Sequence, residues 1–343
     1  MNFLHKEHFR RLIMKKKLAI ALSLILVFAM LFCTACGDKP AVDPDAPATG
    51  TIAKVKVGTG GNTGTYYGFT TAACQILNTA DYTFEVLSTG GSQANIEGIE
   101  DGDYQMAIVQ NDVMNYAYAG TNGFAAPIKS FSAIGCVYPE VCQIVATKAS
   151  GITSVADLKG KNVAVGDAGS GVYYNATQIL AAAGLDIDKD INKTAASFGD
   201  AATQLKDGSI DAAFLTAGTP TPAITELATS TEVVVVDLGE EVISKLMNAY
   251  TFYAKYEMTS ADYDFISAPV NTVAIMATYV VSNEMSEDQA YQITKDLWEK
   301  QADIAAAHAK GKEMKTDIAA SAIGEVPLHA GAAKYYKEAG IIE

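Results

Sequence analysis

Four glycine-rich turns, each between a β-like run and a helical stretch, constrain the fold of this chain more than any other feature. They lie at Gly58–Gly64, Ser88–Ser92, Gly169–Gly171 and Thr216–Pro220. Strand–helix alternation of this kind indicates parallel sheets covered by helices on both faces. Because open α/β folds bind ligands at the carboxyl ends of their strands, the four turns together predict a binding site at that edge.

Residue patterns beyond Lys54 predict the individual elements. About 290 residues are too many for one ordinary α/β core, and two long β-like runs, 137–147 and 270–281, would cross between two cores. We therefore predict two lobes with two hinge crossings: lobe 1 over 54–140 plus 272–343, and lobe 2 over 141–271. The predicted strands are 55–57, 82–88, 105–109, 162–165, 195–198, 212–215 and 233–236, and the main helices are 67–78, 92–100, 112–118, 172–183, 285–307 and 331–340.

The N-terminus has the pattern of an export signal. Three lysines, Lys15–Lys17, precede an apolar run from Leu18 to Phe32, which is short for a membrane span and normal for a signal peptide. Residues 33–38 resemble a bacterial lipobox, which predicts cleavage after residue 35 and a lipid on Cys36. The alternative is a plain secretory signal. We expect a signal peptide over 1–35, starting at Met1 or Met14, then a lipid anchor and flexible tether over 36–53.

Charge limits the possible partners. The net charge is −14, and removal of residues 1–35, which carry a net +5, leaves −19. So acidic a chain is unsuited to nucleic acid, whose phosphates need clustered Lys and Arg. Both arginines, Arg10 and Arg11, lie in the signal segment. The exported chain must therefore bind any carboxylate without a guanidinium group.

The candidate ligand-binding residues share glycine, hydroxyl or amide chemistry at helix starts, where backbone N–H groups are unpaired. Single turns of this kind are also ordinary structural turns, and Gln110–Asp112 could equally cap a helix. Dinucleotide and phosphate-loop patterns fail, because Thr63 stands where the former needs glycine and Tyr66-Tyr67 stand where the latter needs Lys-Ser/Thr. The candidates are Thr59, Gly60, Gly61, Asn62, Tyr66, Tyr67, Ser88, Thr89, Gly90, Gly91, Ser92, Gln110, Asn111, Gly169, Ser170, Gly171, Thr216, Ala217 and Gly218.

The backbone N–H groups and side-chain hydroxyls at these helix starts do not titrate between about pH 5.5 and 8.5. They therefore predict that the affinity for a carboxylate is nearly independent of pH over this range. A lysine clamp at Lys148 is the competing hypothesis.

Cys136 and Cys142 could form a disulfide or remain free thiols. We find no catalytic set, metal spacing or cofactor motif, and we expect no catalytic residue, metal or cofactor.

Five stretches resemble the TAXI family of TRAP transporter solute receptors, and the resemblance extends from about Lys54 to Gly340. They are Val57–Tyr67, Ser88–Ile96, Ala107–Asp112, Asp207–Phe214 with Thr216–Pro220, and Pro327–Tyr336. Gly68 and Ala330 depart from the family, whose members often have proline at both positions. Neither departure removes a polar group from the candidate site.

The resemblance implies a type II periplasmic-binding-protein-like α/β fold, each lobe a mainly parallel sheet flanked by helices. It implies an extracytoplasmic receptor, not an enzyme, that captures a small solute between its lobes and delivers it to a TRAP membrane permease. An amino acid such as glutamate, or another carboxylate, would be the solute. The receptor would be anchored to the outer face of the cell membrane as a lipoprotein, or be periplasmic. The alternatives are a receptor of an ABC importer or sensor system, and a secreted nucleotide-dependent enzyme.

Overall fold

A computed structural model of the chain describes residues 50–343. The predicted signal peptide over 1–35, the lipid on Cys36 and most of the tether over 36–53 lie outside these residues. The strands are β1 (Lys54–Gly58), β2 (Thr83–Leu87), β3 (Met106–Gln110), β4 (Phe131–Thr147), β5 (Asn162–Ala164), β6 (Asn192–Thr194), β7 (Ala212–Ala217), β8 (Val233–Val235), β9 (Ala254–Met258) and β10 (Val270–Ser282).

Helices cover the sheet between these strands. They are α1 (Thr65–Leu77), α2 (Ser92–Glu100), α3 (Asn111–Ala119), α4 (Val172–Ala182), α5 (Phe198–Asp207), α6 (Pro222–Ala228), α7 (Glu240–Ala249), α8 (Glu287–Glu299), α9 (Gln301–Ala307), α10 (Thr316–Ala319) and α11 (Ala330–Glu338). Short 3₁₀ turns lie at Lys148–Ser150, Val155–Leu158 and Ala309–Glu313. Every helix among residues 50–343 is too short or too polar to span a bilayer.

The strands form one sheet in the order β2-β1-β3-β10-β4-β7-β5-β6, with β8 beside β4 and β9 beside β10. Both ends of the sheet are parallel: β1 pairs with β2 and β3, and β5 pairs with β6 and β7. The predicted α/β class is therefore confirmed. The two parallel parts are joined into one sheet because β4 and β10 pair with each other, antiparallel, at its centre.

The two central strands are the long β-like runs that the sequence places at the crossings. β4 has 17 residues and β10 has 13. Their pairing brings Glu140 opposite Ile275, and the register shifts between Ala277 and Thr278. Such irregularities increase local bending and twist.

Buried apolar side chains form separate cores on the two parts of the sheet. Two clusters draw on residues 55–138 and 277–336. Two others draw on residues 141–275. The change of cluster falls between Tyr138 and Val141 on β4, and between Ile275 and Ala277 on β10. The lobe boundaries themselves stay a prediction.

Two local predictions need correction. Residues 195–198 are not a strand, because β6 ends at Thr194 and Phe198 begins α5, whose N-cap Ser197 accepts from the Asp200 N–H at 3.2 Å. The helix expected over 285–307 is two helices, which meet at Lys300. His329 is the N-cap of the last helix, since its Nδ1 accepts from the Gly331 N–H at 3.2 Å.

Candidate ligand-binding site

A cavity of about 50 Å³ lies at the carboxyl ends of β1, β3, β7 and the neighbouring turns. That volume exceeds the space one water molecule needs, about 10–15 Å³. Residues from both parallel parts of the sheet line it. They are Gly60, Gly61, Gly64, Thr65, Tyr66, Gly90, Gly91, Ser92, Gln110, Glu140, Asp167, Ser170, Val172, Ser197, Phe198, Thr216 and Ala217.

Ten of the candidate residues line this cavity, and they come from all four glycine-rich turns and the end of β3. Gly91 shows why glycine is needed: its φ is +112°, and a Cβ there would lie 3.4 Å from the Ser170 Cα. The ten are Gly60, Gly61, Tyr66, Gly90, Gly91, Ser92, Gln110, Ser170, Thr216 and Ala217.

The other nine candidates do not line the cavity. Several are structural: the Thr59 hydroxyl donates to the Leu87 carbonyl at 2.6 Å, and the Thr89 hydroxyl to the Thr59 carbonyl at 2.9 Å. The Asn111 amide donates to the Ala322 carbonyl at 3.0 Å, which ties α3 to the C-terminal region. The nine are Thr59, Asn62, Tyr67, Ser88, Thr89, Asn111, Gly169, Gly171 and Gly218.

Glu140 also lines the cavity, although none of the sequence motifs includes it. It is 1% exposed, and its Oε2 accepts the Tyr66 hydroxyl at 2.6 Å. Burial raises the pKa of Glu140 well above its ordinary value, while the Tyr66 hydrogen bond and the charge of Lys310 act the other way. A signal was available, because Glu140 is the one charged residue in the 17 of β4.

The other cavity residues missed by the motifs are of two kinds. Gly64 is the last residue of the first turn, and Thr65, Asp167 and Val172 flank the predicted turns by one or two positions, so their places follow from the same turns. Ser197 and Phe198 were assigned to a strand, and they reach the cavity because α5 begins there.

Beside the cavity, hydrogen bonds link residues of the two parallel parts of the sheet across the cleft between their turns. The Gly169 carbonyl accepts from the N–H groups of Gln93 and Ala94 at 3.0 and 3.1 Å. It thus binds the N–H groups in the first turn of α2, which the sequence analysis predicted to be available to the ligand. The Thr65 hydroxyl donates to the Gly218 carbonyl at 2.8 Å. These contacts join the turns of the two parallel parts directly.

A buried polar network lies behind the cavity. Asn175 on α4 donates from Nδ2 to Asp112 Oδ2 at 2.9 Å and to the Tyr253 hydroxyl at 2.9 Å. Its Oδ1 accepts from Gln110 Nε2 at 2.8 Å and from the Thr216 hydroxyl at 2.9 Å. Burial raises the pKa of Asp112 to about 6. The network connects α3 with α4 and β7 across the central strands.

Residues 57–340 match the model of the NMT1-like family. The chain belongs to the NMT1-like family. This NMT1-like chain is also similar to solved solute-binding proteins. The alkanesulfonate-binding protein SsuA from Xanthomonas axonopodis pv. citri is 16% identical, with 85% of this chain and 92% of that one covered and a TM-score of 0.49. An ancestral arginine-binding protein is 15% identical, with 76% and 99% covered and a TM-score of 0.49.

Lys148 and the three cysteines within residues 50–343 are not among the residues that line the cavity of the NMT1-like chain. Lys148 is exposed, with its Nζ 3.6 Å from Glu232, and does not line the cavity. Cys74, Cys136 and Cys142 are free and buried. Cys136 and Cys142 lie six positions apart on one extended strand, about 20 Å, so they form no disulfide. Burial raises the pKa of the Cys142 thiol.

Proposed function

We propose that this chain is an extracytoplasmic solute receptor that captures a small molecule in the cavity and delivers it to a membrane permease. The observation that carries the proposal is the cavity itself. It lies at strand ends where two parallel parts of one sheet meet, and residues of both parts line it. Ligands of open α/β folds bind at this position.

Closure around the solute is the second part of the proposal. The lobes would move about β4 and β10, which are the two places where the chain passes between the cores. Hydrogen bonds such as Thr65 to Gly218 would form on closing and break on opening, which is how a ligand that contacts both lobes shifts the equilibrium toward the closed state.

The motif resemblance supports a TRAP-type permease as partner, and an amino acid such as glutamate or another carboxylate as solute. An ABC importer or a sensor system would use a receptor of the same architecture. A large permease gene of the TRAP type beside this one favours the first partner, and ATPase or kinase genes favour the others. A lipid on Cys36 would hold the receptor at the outer face of the membrane.

A thermal-shift screen of amino acids and dicarboxylates tests the receptor function, because a ligand that binds only the folded chain raises its melting temperature. A true ligand should be recovered unchanged, by mass spectrometry, after incubation with the protein. Recovery of a converted product would favour the enzyme alternative, since Glu140 and Asp167 place two carboxyl groups at the cavity. If no compound shifts the melting temperature, the receptor function is contradicted.

A further inference from the structure

The charged side chains that line the cavity are all acidic. Its lining residues within 50–343 include two acids, Glu140 and Asp167, and no lysine, arginine or histidine. Lys310 is the buried cation nearby, but its Nζ is bound to Glu313 Oε1 at 2.7 Å. An anionic ligand would therefore enter a site whose own charges repel it.

Among residues 50–343, only one of the two carboxyl oxygens of Glu140 has a hydrogen-bond donor. Its Oε2 accepts the Tyr66 hydroxyl. Its Oε1 has no hydrogen-bond donor among residues 50–343 and is not sealed off by protein atoms. A carboxylate buried to this degree needs a partner, because an unpaired buried charge is costly. The free oxygen belongs to a cavity residue, so a group of a bound ligand can supply that partner.

We propose that Glu140 is the specificity-determining residue of the cavity, and that it binds a protonated amine of the solute. The cavity thereby selects solutes that carry an ammonium group over carboxylates that lack one. This inference rests on the proposed receptor function and narrows it, since the motifs leave amino acids and amine-free carboxylates equally possible.

Proton exchange provides an independent check on the charge state. Burial raises the pKa of Glu140, which favours the protonated form in the free receptor, and an ammonium ligand would displace that proton. Binding then releases up to one proton and strengthens as the pH rises, which replaces the flat pH dependence expected from the helix-start donors. A protonated Glu140 that donated to a ligand carboxylate would release none. The titratable groups that act on Glu140 or respond to it are Tyr66, Asp112, Tyr138, Cys142 and Lys310.

The test uses matched probes on the wild-type protein. The twenty L-amino acids are compared with acids that lack the amine, including glutarate for glutamate, succinate for aspartate and propionate for alanine. We expect at least one amino acid to bind, and its amine-free counterpart to bind at least a hundredfold more weakly. Calorimetry in two buffers of different ionisation enthalpy should report proton release. This part needs no variant, so a folding defect cannot obscure it.

Glu140→Gln then separates the two hydrogen-bonding modes, because glutamine still donates to a carboxylate but carries no charge for an ammonium group. We expect affinity for the amino acid to fall at least a hundredfold. Glu232→Gln is the control, since Glu232 is exposed, pairs with Lys148 and does not line the cavity. It should change affinity less than fivefold.

Two results overturn the inference and leave the receptor function intact: an amine-free acid that binds as tightly as its amino acid, or a ligand whose affinity survives Glu140→Gln. If no probe of either group binds, the receptor function fails, and the inference fails with it.

Discussion

The adjacent tyrosines at the start of α1 have different surroundings. Tyr66 lines the cavity and donates to Glu140, whereas Tyr67 does neither. Helix geometry explains the difference, because successive residues point about 100° apart around the axis. A pair that looks uniform in the sequence therefore contains one residue that lines the cavity and one that does not.

We predict that Tyr66→Phe weakens ligand binding and that Tyr67→Phe does not. Removing the Tyr66 hydroxyl leaves the Glu140 carboxylate without its donor. A hydrogen bond to a charged group contributes roughly 1.5–3 kcal/mol, or about 10- to 150-fold in affinity. Equilibrium binding of the ligand found in the screen measures both variants, and equal losses in the two would contradict the assignment.

Residue chemistry also marks the limit of what the sequence could predict. The glycines and hydroxyls of the four turns were identifiable because turns and helix starts depend on local sequence. Glu140 stands out in the sequence as the one charged residue of β4, but its place at the cavity depends on β4 lying between β10 and β7, which local sequence does not determine. Thr59 and Thr89 have the right chemistry, but their hydroxyls bind neighbouring carbonyls, a choice that only the packed turns determine.

At the scale of elements, strands and helices with strong local patterns appeared where expected. The bounds predicted for α2 match those observed, and the long runs at 137–147 and 270–281 lie in β4 and β10. The misplaced strand at 195–198 shows the opposite case. The short stretch Ala195–Phe198 has no periodic pattern of apolar residues that would distinguish a strand from a helix. A helix starts there because the Ser197 side chain caps its first turn.

The α3–α4 connection supplies a prediction about pH. Burial raises the pKa of Asp112 to about 6, against about 3.9 in an unfolded chain. A raised acid pKa contributes stability that is full below about pH 4 and is lost as the pH rises through 6. Relative to Asp112→Asn, the wild-type free energy of unfolding should fall by about 2 kcal/mol between pH 4 and pH 7.

Urea unfolding of both proteins at several pH values measures that difference. Asp112→Asn can also alter the hydrogen bonds to Asn175 and Gln110, but that effect is the same at every pH. A difference between the two proteins that stays constant from pH 4 to pH 7 would show that Asp112 titrates normally.

At the scale of the whole molecule, the proposed closure can be locked covalently. A Cβ built on Gly199 would lie 4.0 Å from the Thr63 Cβ, across the cleft, and Gly199 needs no positive φ. That separation suits a disulfide, whose Cβ atoms are typically 3.5–4.5 Å apart. Cys74, Cys136 and Cys142, the thiols within residues 50–343, are buried and should not compete.

We predict that Thr63→Cys with Gly199→Cys forms a disulfide that holds the closed state. Small-angle scattering of the reduced double variant should show a radius of gyration that shrinks with ligand. The oxidised form should keep the smaller radius with or without ligand, and should release bound ligand far more slowly. Single-cysteine variants are the controls. Closure is contradicted if oxidised and reduced proteins have the same radius and release rate.

The division of the buried clusters also sets an order of folding. Residues 141–275 pack mainly among themselves, so this middle part of the chain has its core partners as soon as it is made. The core around β1 needs residues from α8 and α11, more than 230 positions further along the chain. Contacts so distant form late, because the intervening loop must be closed first. The core around the first residues of the folded part is thus among the last to be completed. During synthesis nearly the whole chain must leave the ribosome before the last members of that core can pack on it.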